Sequence, residues 1–336
     1  KKFVNSHQKP RSKNRKTALI IVGVLAAISG LIFGTMAIAY FSLAQGFDSK
    51  TTSIQTAFPV ESLRPTVSPT QSENILLLGT DTRGQIGTSI ESAAGGRSDT
   101  MMVVHIPADR SSIQVMSIMR DSWVDIPGFG ENKVNAAMAL GGIPLTVQTV
   151  EQIINARIDH VAVIDFDGFK ELTNSLGGVE VNNPIGFDSY HMPGQFFAQG
   201  PLVLSGAEAL AFVRERYAFI DGDYQRVRNQ QLFLQAVVNT FISKDVLSNP
   251  SKLKSSISQL GKMIAVDPGL NFGYITQKAL ELRGVTPSAI TYFTLPSKGT
   301  GMVGDQSVVF VNWSEVDVLR ALFATDQLSS YAPPPQ

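Results

Sequence analysis

Between Thr17 and Phe47 the chain carries no charged side chain, reading TALIIVGVLAAISGLIFGTMAIAYFSLAQGF. A helix of that composition has no polar face to offer water, and about 20 apolar residues suffice to span a bilayer. Immediately before it, Lys1, Lys2, Lys9, Arg11, Lys13, Arg15 and Lys16 supply seven cations with no acidic residue among them. The pattern predicts a basic cytoplasmic segment over 1–16, a membrane span over 17–44 and an extracytoplasmic remainder, because basic flanks stay inside. Ala37-Ile38-Ala39 matches the small-x-small pattern of a cleavable signal. The apolar run exceeds the roughly 7–15 residues of a signal core, so the reading taken is a single-pass anchor in the cell membrane.

This division changes the charge balance. The whole chain has 28 basic and 28 acidic side chains, so without the seven N-terminal cations the remainder holds 21 against 28, a net charge of −7. An acidic exported domain lacks the basic footprint of a nucleic-acid binder. With no cysteine in the chain, disulfide staples, thiolate metal sites and thiol nucleophiles are excluded.

Residues 45–72 are rich in Ser, Thr and Pro and have no apolar periodicity, which predicts an extended linker. From Asn74 short apolar runs alternate with helical stretches. ILLLG (75–79), TMMVVHI (100–106), SIQVMSIM (112–119) and HVAVIDF (160–166) read as strands. Residues 135–154 read as a helix broken at Gly141-Gly142, and 166–178 as a helix ended by glycine. Ser205 and Glu208 have capping-box spacing, and Asp223 precedes a long amphipathic stretch as a candidate N-cap. A strand at AITYFTL and a helix at EVDVLRALF follow, and 326–336 reads as a tail. The alternation predicts an α/β fold over 73–325, a three-layer sandwich with a central mixed β-sheet flanked by helices.

The strands end on charge. ILLLGTD closes on Asp81, SIQVMSIMRD on Arg120 and Asp121, and HVAVIDFD on Asp165 and Asp167, at the positions where ligands gather in open α/β sheets. The long Gly/Ser-rich stretch 82–98 leads to Arg97-Ser98-Asp99, so Asp81 and Asp99 can approach one another across adjacent strands. Two carboxylates with room for water suit Mg²⁺, with Mn²⁺ as the alternative.

A second concentration of charge lies at RERYAFIDGDYQRVRNQQ (214–231). Arg214 and Arg216 leave an extended chain on one side, while Asp223, Arg226 and Gln230 share a helix face. Arg228 falls off that face and is read as solvated or ion-paired. Guanidinium forks and a helix N-terminus can surround a small polyanion. An ion-pair lattice with Glu215, Asp221 and Asp223 is the alternative, and spacing alone leaves both open. Phosphate-loop, zinc-protease, nucleophile-elbow and dinucleotide fingerprints are absent. His7, His105, His160 and His191 are scattered, and His105, inside an apolar strand, reads as packed.

NILLLGTDTR, RSDTMMVVHI, VMSIMRDSWVDIPG, NKVNAA, VIDFDGFKELTNSLGGVEV, LSGAEALAFVRERY and DGDYQRVRNQQ, in this order, resemble the LytR-CpsA-Psr family of membrane-anchored envelope glycopolymer transferases. The resemblance covers about residues 74–245. It implies transfer of a glycopolymer from a polyprenyl-pyrophosphate carrier to peptidoglycan, outside a Gram-positive-type membrane, as a phosphodiester. It further implies that Asp81 and Asp99 hold Mg²⁺ and that Arg97, Arg120, Arg214, Arg216, Arg226 and Gln230 grip the pyrophosphate. Asp223 would orient an arginine or serve near the acceptor, apolar faces would enclose the polyprenyl chain, and Lys133 and Asn135 match a further family motif. The polymer stays open among teichoic acid, capsule, arabinogalactan and a glycoprotein glycan. A pyrophosphate-lipid hydrolase and a non-catalytic lipid-binding regulator are the rival readings of the same residues.

Overall fold

The runs ILLLG and TMMVVHI lie side by side at the centre of a mixed sheet. The computed structural model describes residues 42–81, 98–241, 261–262 and 264–333. Gly46–Gln336 form one compact unit and Lys1–Gln45 another, of which 42–45 are described. The basic segment 1–16, nearly all of the expected span over 17–44, and Arg97 therefore lie outside the described residues. Among the described residues no helix is long and apolar enough to cross a membrane.

In chain order come β1 (Thr52–Ser53), β2 (Glu73–Thr80), β3 (Ser98–Ile106), β4 (Ile113–Ile118), β5 (Ser122–Ile126) and β6 (Gly130–Lys133). Helix α1 (Ala136–Ile154), β7 (His160–Asp165), α2 (Phe166–Ser175), β8 (Val179–Asn183), β9 (Phe187–Asp188), β10 (Phe196–Phe197) and β11 (Gly200–Leu204) follow. The remainder is α3 (Gly206–Arg214), α4 (Asp223–Phe241), β12 (Ile264–Val266), α5 (Phe272–Glu281), β13 (Ile290–Thr294), β14 (Ser297–Val303), β15 (Gln306–Val311) and α6 (Trp313–Ala324).

The main sheet has seven strands in the order β1-β12-β7-β2-β3-β4-β13, with β2 parallel to β7 and antiparallel to β3. A four-stranded sheet, β14-β15-β5-β6, and two short hairpin pairs, β8 with β11 and β9 with β10, were not foreseen from the sequence. Side chains alternate across the main sheet. Leu76, Leu78, Val103, Val161 and Val163 pack with Val147, Val150 and Ile153 of α1 and with Leu319 and Phe323 of α6 in one core. A second core joins Val179, Val181 and Leu204 to Phe212 of α3 and Phe233 of α4. Helices thus cover both faces, as the alternation predicted.

Local expectations fare unevenly. Gly141 and Gly142 interrupt α1 with non-helical backbone, and the amides of Gly177 and Gly178 close α2 on Asn174 and Thr173 carbonyls, both as expected. The capping box does not form: the Ser205 side chain makes no cap bond, and the Gly206 amide instead donates to the Thr173 hydroxyl of α2 at 2.8 Å. The Glu208 amide, which the capping box assigned to the Ser205 side chain, donates to the Ser205 carbonyl instead. Asp223 is the first residue of α4 rather than a residue before it, and its carboxylate turns toward arginines. Residues 45–72 are not a free linker, since β1 adds to the sheet beside β12 and Ile54 and Ala57 are buried in the core. Nor is 326–336 wholly a tail, because Leu328 and Tyr331 belong to the same core. Isolated apolar residues in polar stretches fill gaps at the margin of a core, where no periodicity announces them.

Candidate functional site

Parallel β2 and β7 end where antiparallel β3 begins and β4 finishes, so Asp81, Asp99, Arg120 and Asp121 are delivered to one end of the sheet. Asp99 sits in a β-bulge, between the pairs Gly79↔Thr100 and Thr80↔Ser98. Such a residue escapes the strand's alternation and can be re-aimed. Its carboxylate accepts from Arg120 Nη1 at 2.7 Å. Arg120 Nε stands 3.5 Å from Asp121, and Lys133 Nζ lies 3.3 Å from the other oxygen of Asp121. The Asn135 amide donates to the Arg120 carbonyl, so the NKVNAA segment holds this turn from behind.

The second group arrives on α3, α4 and the turn between them. Glu215 is extended (φ −64°, ψ 131°), which sends the flanking Arg214 and Arg216 to one side and Glu215 to the other. The Arg214 guanidinium lies 4.4 Å from the centre of the Phe166 ring. Arg226 and Gln230 share a face of α4, and Gln230 Nε2 donates to the Val213 carbonyl at 3.3 Å. Asp223 Oδ1 stands 3.0 Å from Arg226 Nη1 and 3.5 Å from Arg216 Nη1, without hydrogen-bond geometry to either. Arg228 turns away to Asp221 and Gln225, the ion-paired position expected of it.

These two groups meet at one cavity of about 450 Å³. Asp99, Arg120, Arg214, Arg216, Arg226 and Gln230 all line it, and Asp223 joins through its ion pairs. Asp81 does not line it, although it follows β2 at the same end of the sheet, and Arg97 lies outside the described residues. The rest of the wall is apolar. Met102, Leu77 and Ala162 form a row across three paired strands, with Phe169, Phe233 and Val237 from the helices among the residues opposite. In the next row Gly79 pairs with Thr100, and a Cβ on Gly79 would come within 2.9 Å of the Thr100 Cβ. The second face of the sheet is therefore covered without being filled.

Electrostatics follow from this packing. Arg226 is 4% exposed, and its Nε and Nη2 have no hydrogen-bond partner among the described residues; Arg120 Nε is in the same state. Burial pulls the Arg226 pKa down and the nearby Arg120 and Arg216 reinforce it, against the pull of Asp223. Arg120 is held above its ordinary value: burial opposes protonation, but Asp99 and Asp121 outweigh it. Burial raises Asp223 and the negative charge of Asp121 adds to the rise, whereas Asp121 stays low because its interaction with Asp223 and the cations Arg120 and Lys133 overcome its own burial. Donors held ready at the end of an apolar chamber can grip a polyanion carrying a hydrophobic tail.

Some residues at this site were not singled out beforehand. His191 lines the cavity, and its pKa is lowered by burial and by Arg214. Glu215, read as an arginine partner, is fully buried and accepts hydrogen bonds from the Ser189 hydroxyl and the amides of Tyr190, Arg216 and Tyr217. These partners are up to 26 residues away in sequence, so no local spacing reveals them. His105 is packed as expected, its pKa lowered by burial, between Asn74 and Asp326.

Residues 37–322, which hold this sheet, chamber and arginine group, match the LytR_cpsA_psr family, and the chain belongs to it. A relative of Enterococcus faecalis, named polyisoprenyl-teichoic acid–peptidoglycan teichoic acid transferase TagU, is 31% identical over 84% of this chain and 92% of its own. A Bacillus cereus protein of the same name is 36% identical over 57% of this chain and 63% of its own. The crystal structure of B. subtilis TagV superposes with a TM-score of 0.65 at 26% identity, covering 78% of this chain and 98% of that one.

Proposed function

We propose that this chain transfers a glycopolymer from a polyprenyl-pyrophosphate carrier to peptidoglycan. The observation that carries the reading is the union of an apolar cavity with a mouth bearing Arg120, Arg214, Arg216 and Arg226. An apolar void forfeits dispersion contacts along its walls, so a fold retains one where an occupant restores them. A polyprenyl tail meets that condition, and the pyrophosphate meets the unpartnered guanidinium donors. The E. faecalis relative, 92% of whose length is matched, bears a transferase name of this kind, and the chain is an enzyme of the transferase class.

In the proposed reaction an acceptor hydroxyl oxygen attacks the phosphorus attached to the sugar. The bond from that phosphorus to the bridging oxygen breaks, and polyprenyl phosphate departs with the electron pair. Phosphoryl transfer is mostly positioning and charge neutralisation, and one well-placed arginine contributes on the order of 10³ or more in rate. Arg214, Arg216 and Arg226 hold the pyrophosphate, and Arg120, fixed by Asp99, faces it from the sheet. The acceptor proton passes in this reading to a carboxylate beside the arginines, Asp223 before Asp121, since Asp223 adjoins Arg226 and Arg216 of the cavity.

Among the described residues no group of three or more His, Asp or Glu side chains forms a metal cage. Asp81 and Asp99, which respectively follow and open paired strands at one end of the sheet, would be the carboxylates to hold Mg²⁺, an ion that binds through one or two carboxylates plus phosphate oxygens and water. Bound there, the ion would neutralise charge on the pyrophosphate. Anchored through the uncharged run 17–44, the chain would sit at the membrane that holds its donor, which would raise the effective concentration of the donor at the site.

The test uses the full chain in lipid vesicles with a polyprenyl-pyrophosphoryl oligosaccharide and peptidoglycan. Polyprenyl phosphate release and glycan attachment should rise together and both be lost in Arg214→Ala. Release without attachment would identify a hydrolase, and tight lipid binding with neither would identify a carrier.

A further inference from the structure

Tyr190 and Tyr217 are 65% and 57% exposed, yet their rings lie 4.5 Å apart at an interplanar angle of 50°. Exposed rings gain little from folding, and two rotatable side chains in separate loops have no reason to meet unless something holds the loops. That something is Glu215. Its carboxylate is buried, and it accepts from the Tyr190 amide at 2.7 Å and the Tyr217 amide at 3.0 Å, so one group sets both backbones. Arg216 fixes the Tyr217 ring further, lying 4.5 Å from its centre and donating to its hydroxyl. Tyr217 lines the cavity mouth and Tyr190 stands outside it, so the pair extends outward from the arginines.

We propose that Tyr190 and Tyr217 form a stacking platform for a pyranose ring of the glycan substrate, beside the phosphate-binding arginines. The inference rests on the glycan-transfer reading for the identity of the ligand. A tyrosine offers a large rigid face with a polar rim, which matches a sugar ring with its C–H face and peripheral hydroxyls. The platform is preorganised, so binding needs little further ordering. A bilayer is a poorer occupant. Asp188 closes β9 two residues before Tyr190 and Asp221 lies in the turn after Tyr217, both exposed, and seating the rings in lipid would strip water from both carboxylates.

The ring can come from the acceptor strand or from the first sugar of the donor, and binding measured without turnover separates these sources. The full chain in nanodiscs is titrated with soluble uncrosslinked glycan strands of peptidoglycan, then with polyprenyl pyrophosphate bearing or lacking its oligosaccharide. Tyr190→Ala should weaken one of the two sugar-bearing ligands at least tenfold, leave the sugar-free lipid and the melting temperature unchanged, and be rescued by Tyr190→Trp. Weakened strand binding assigns the platform to the acceptor, and weakened binding of the sugar-bearing lipid alone assigns it to the donor. If neither changes, the platform is refuted. If the wild type binds strands tightly but attaches nothing, the transfer reading fails and the platform is still decided by Tyr190→Ala.

Discussion

Replacing Arg226 by methionine should make the ligand-free protein more stable while destroying its ability to hold a pyrophosphate. Arg226 is almost fully buried, and its Nε and Nη2 lack partners among the described residues. Each such donor costs about 1–3 kcal/mol when it cannot be satisfied. The two together amount to about 2–6 kcal/mol, and methionine removes both while filling a similar volume with apolar atoms. Against this stands the loss of the ion pair with Asp223 at 3.0 Å. Stripping one member from a buried pair is normally expensive because the other charge is stranded. Here burial and the neighbouring charge of Asp121 already raise the pKa of Asp223, so the carboxyl can take up a proton instead of staying charged.

The net expectation is a gain of about 1–3 kcal/mol, the orphaned donors outweighing the lost pair. For a unit of this size that corresponds to a rise of about 2–5 °C in Tm. Thermal unfolding with and without inorganic pyrophosphate gives the reading. Wild type should melt lower without the ligand and rise when it is added, whereas Arg226→Met should start higher and stay there. A ligand-free Tm several degrees below wild type would refute the reasoning, because it would mean that the guanidinium is satisfied within the fold.

Ala162→Phe, in the row with Leu77 and Met102, should lower turnover of a long-chain donor at least about tenfold and spare a short-chain analogue; a series of prenyl lengths checks this. Chelation should abolish turnover, and Asp99→Asn should raise the Mg²⁺ concentration for half-maximal rate at least about tenfold, as read from a metal titration. Because the Asp223 pKa is raised, the stability it contributes is present below the ordinary aspartate value and lost as pH rises through the raised one. Asp223→Asn should therefore gain on wild type in melting temperature as pH climbs through that acidic window, and a difference independent of pH would contradict the direction. Glu215→Ala should lower stability by about 2–4 kcal/mol in chemical denaturation, since it leaves several buried donors without an acceptor.

Strands β7, β2, β3, β4 and β13 of the central sheet were legible because they are nearly continuous apolar runs of strand length, and the glycine breaks at Gly141 and Gly177 were legible because backbone conformation there depends on the residue itself. The arginines converge as read, since the extended step at Glu215 and the helical period of α4 are both local rules. The cavity was not legible. Leu77 and Met102 look in sequence like any other core residues, and only the positions of α2, α3 and α4 leave the space before them unfilled. The role of Glu215 was hidden for a related reason. It entered only as an arginine partner in the alternative ion-pair lattice, whereas one of the amides that donate to its carboxylate comes from a loop whose approach no spacing encodes. Strand β14, SKGTGMV, went unseen because glycines interrupt its alternation, and it is held by pairing with β15.

The outermost strands of the main sheet come from distant parts of the chain. Thr52 in β1 pairs with Ala265 in β12, and Ile113 in β4 with Ile290 in β13, while Leu328 and Tyr331 complete the core near the very end. As the polypeptide is made from its N-terminus, the β2, β3 and β4 hairpins can pair early, but both borders of the sheet must wait for residues synthesised much later. Distant pairings of this kind slow folding and leave edges exposed to misassociation in the interval. The nascent domain must therefore pass through a stage with an unclosed sheet, and a truncation that ends before β12 should trap it there.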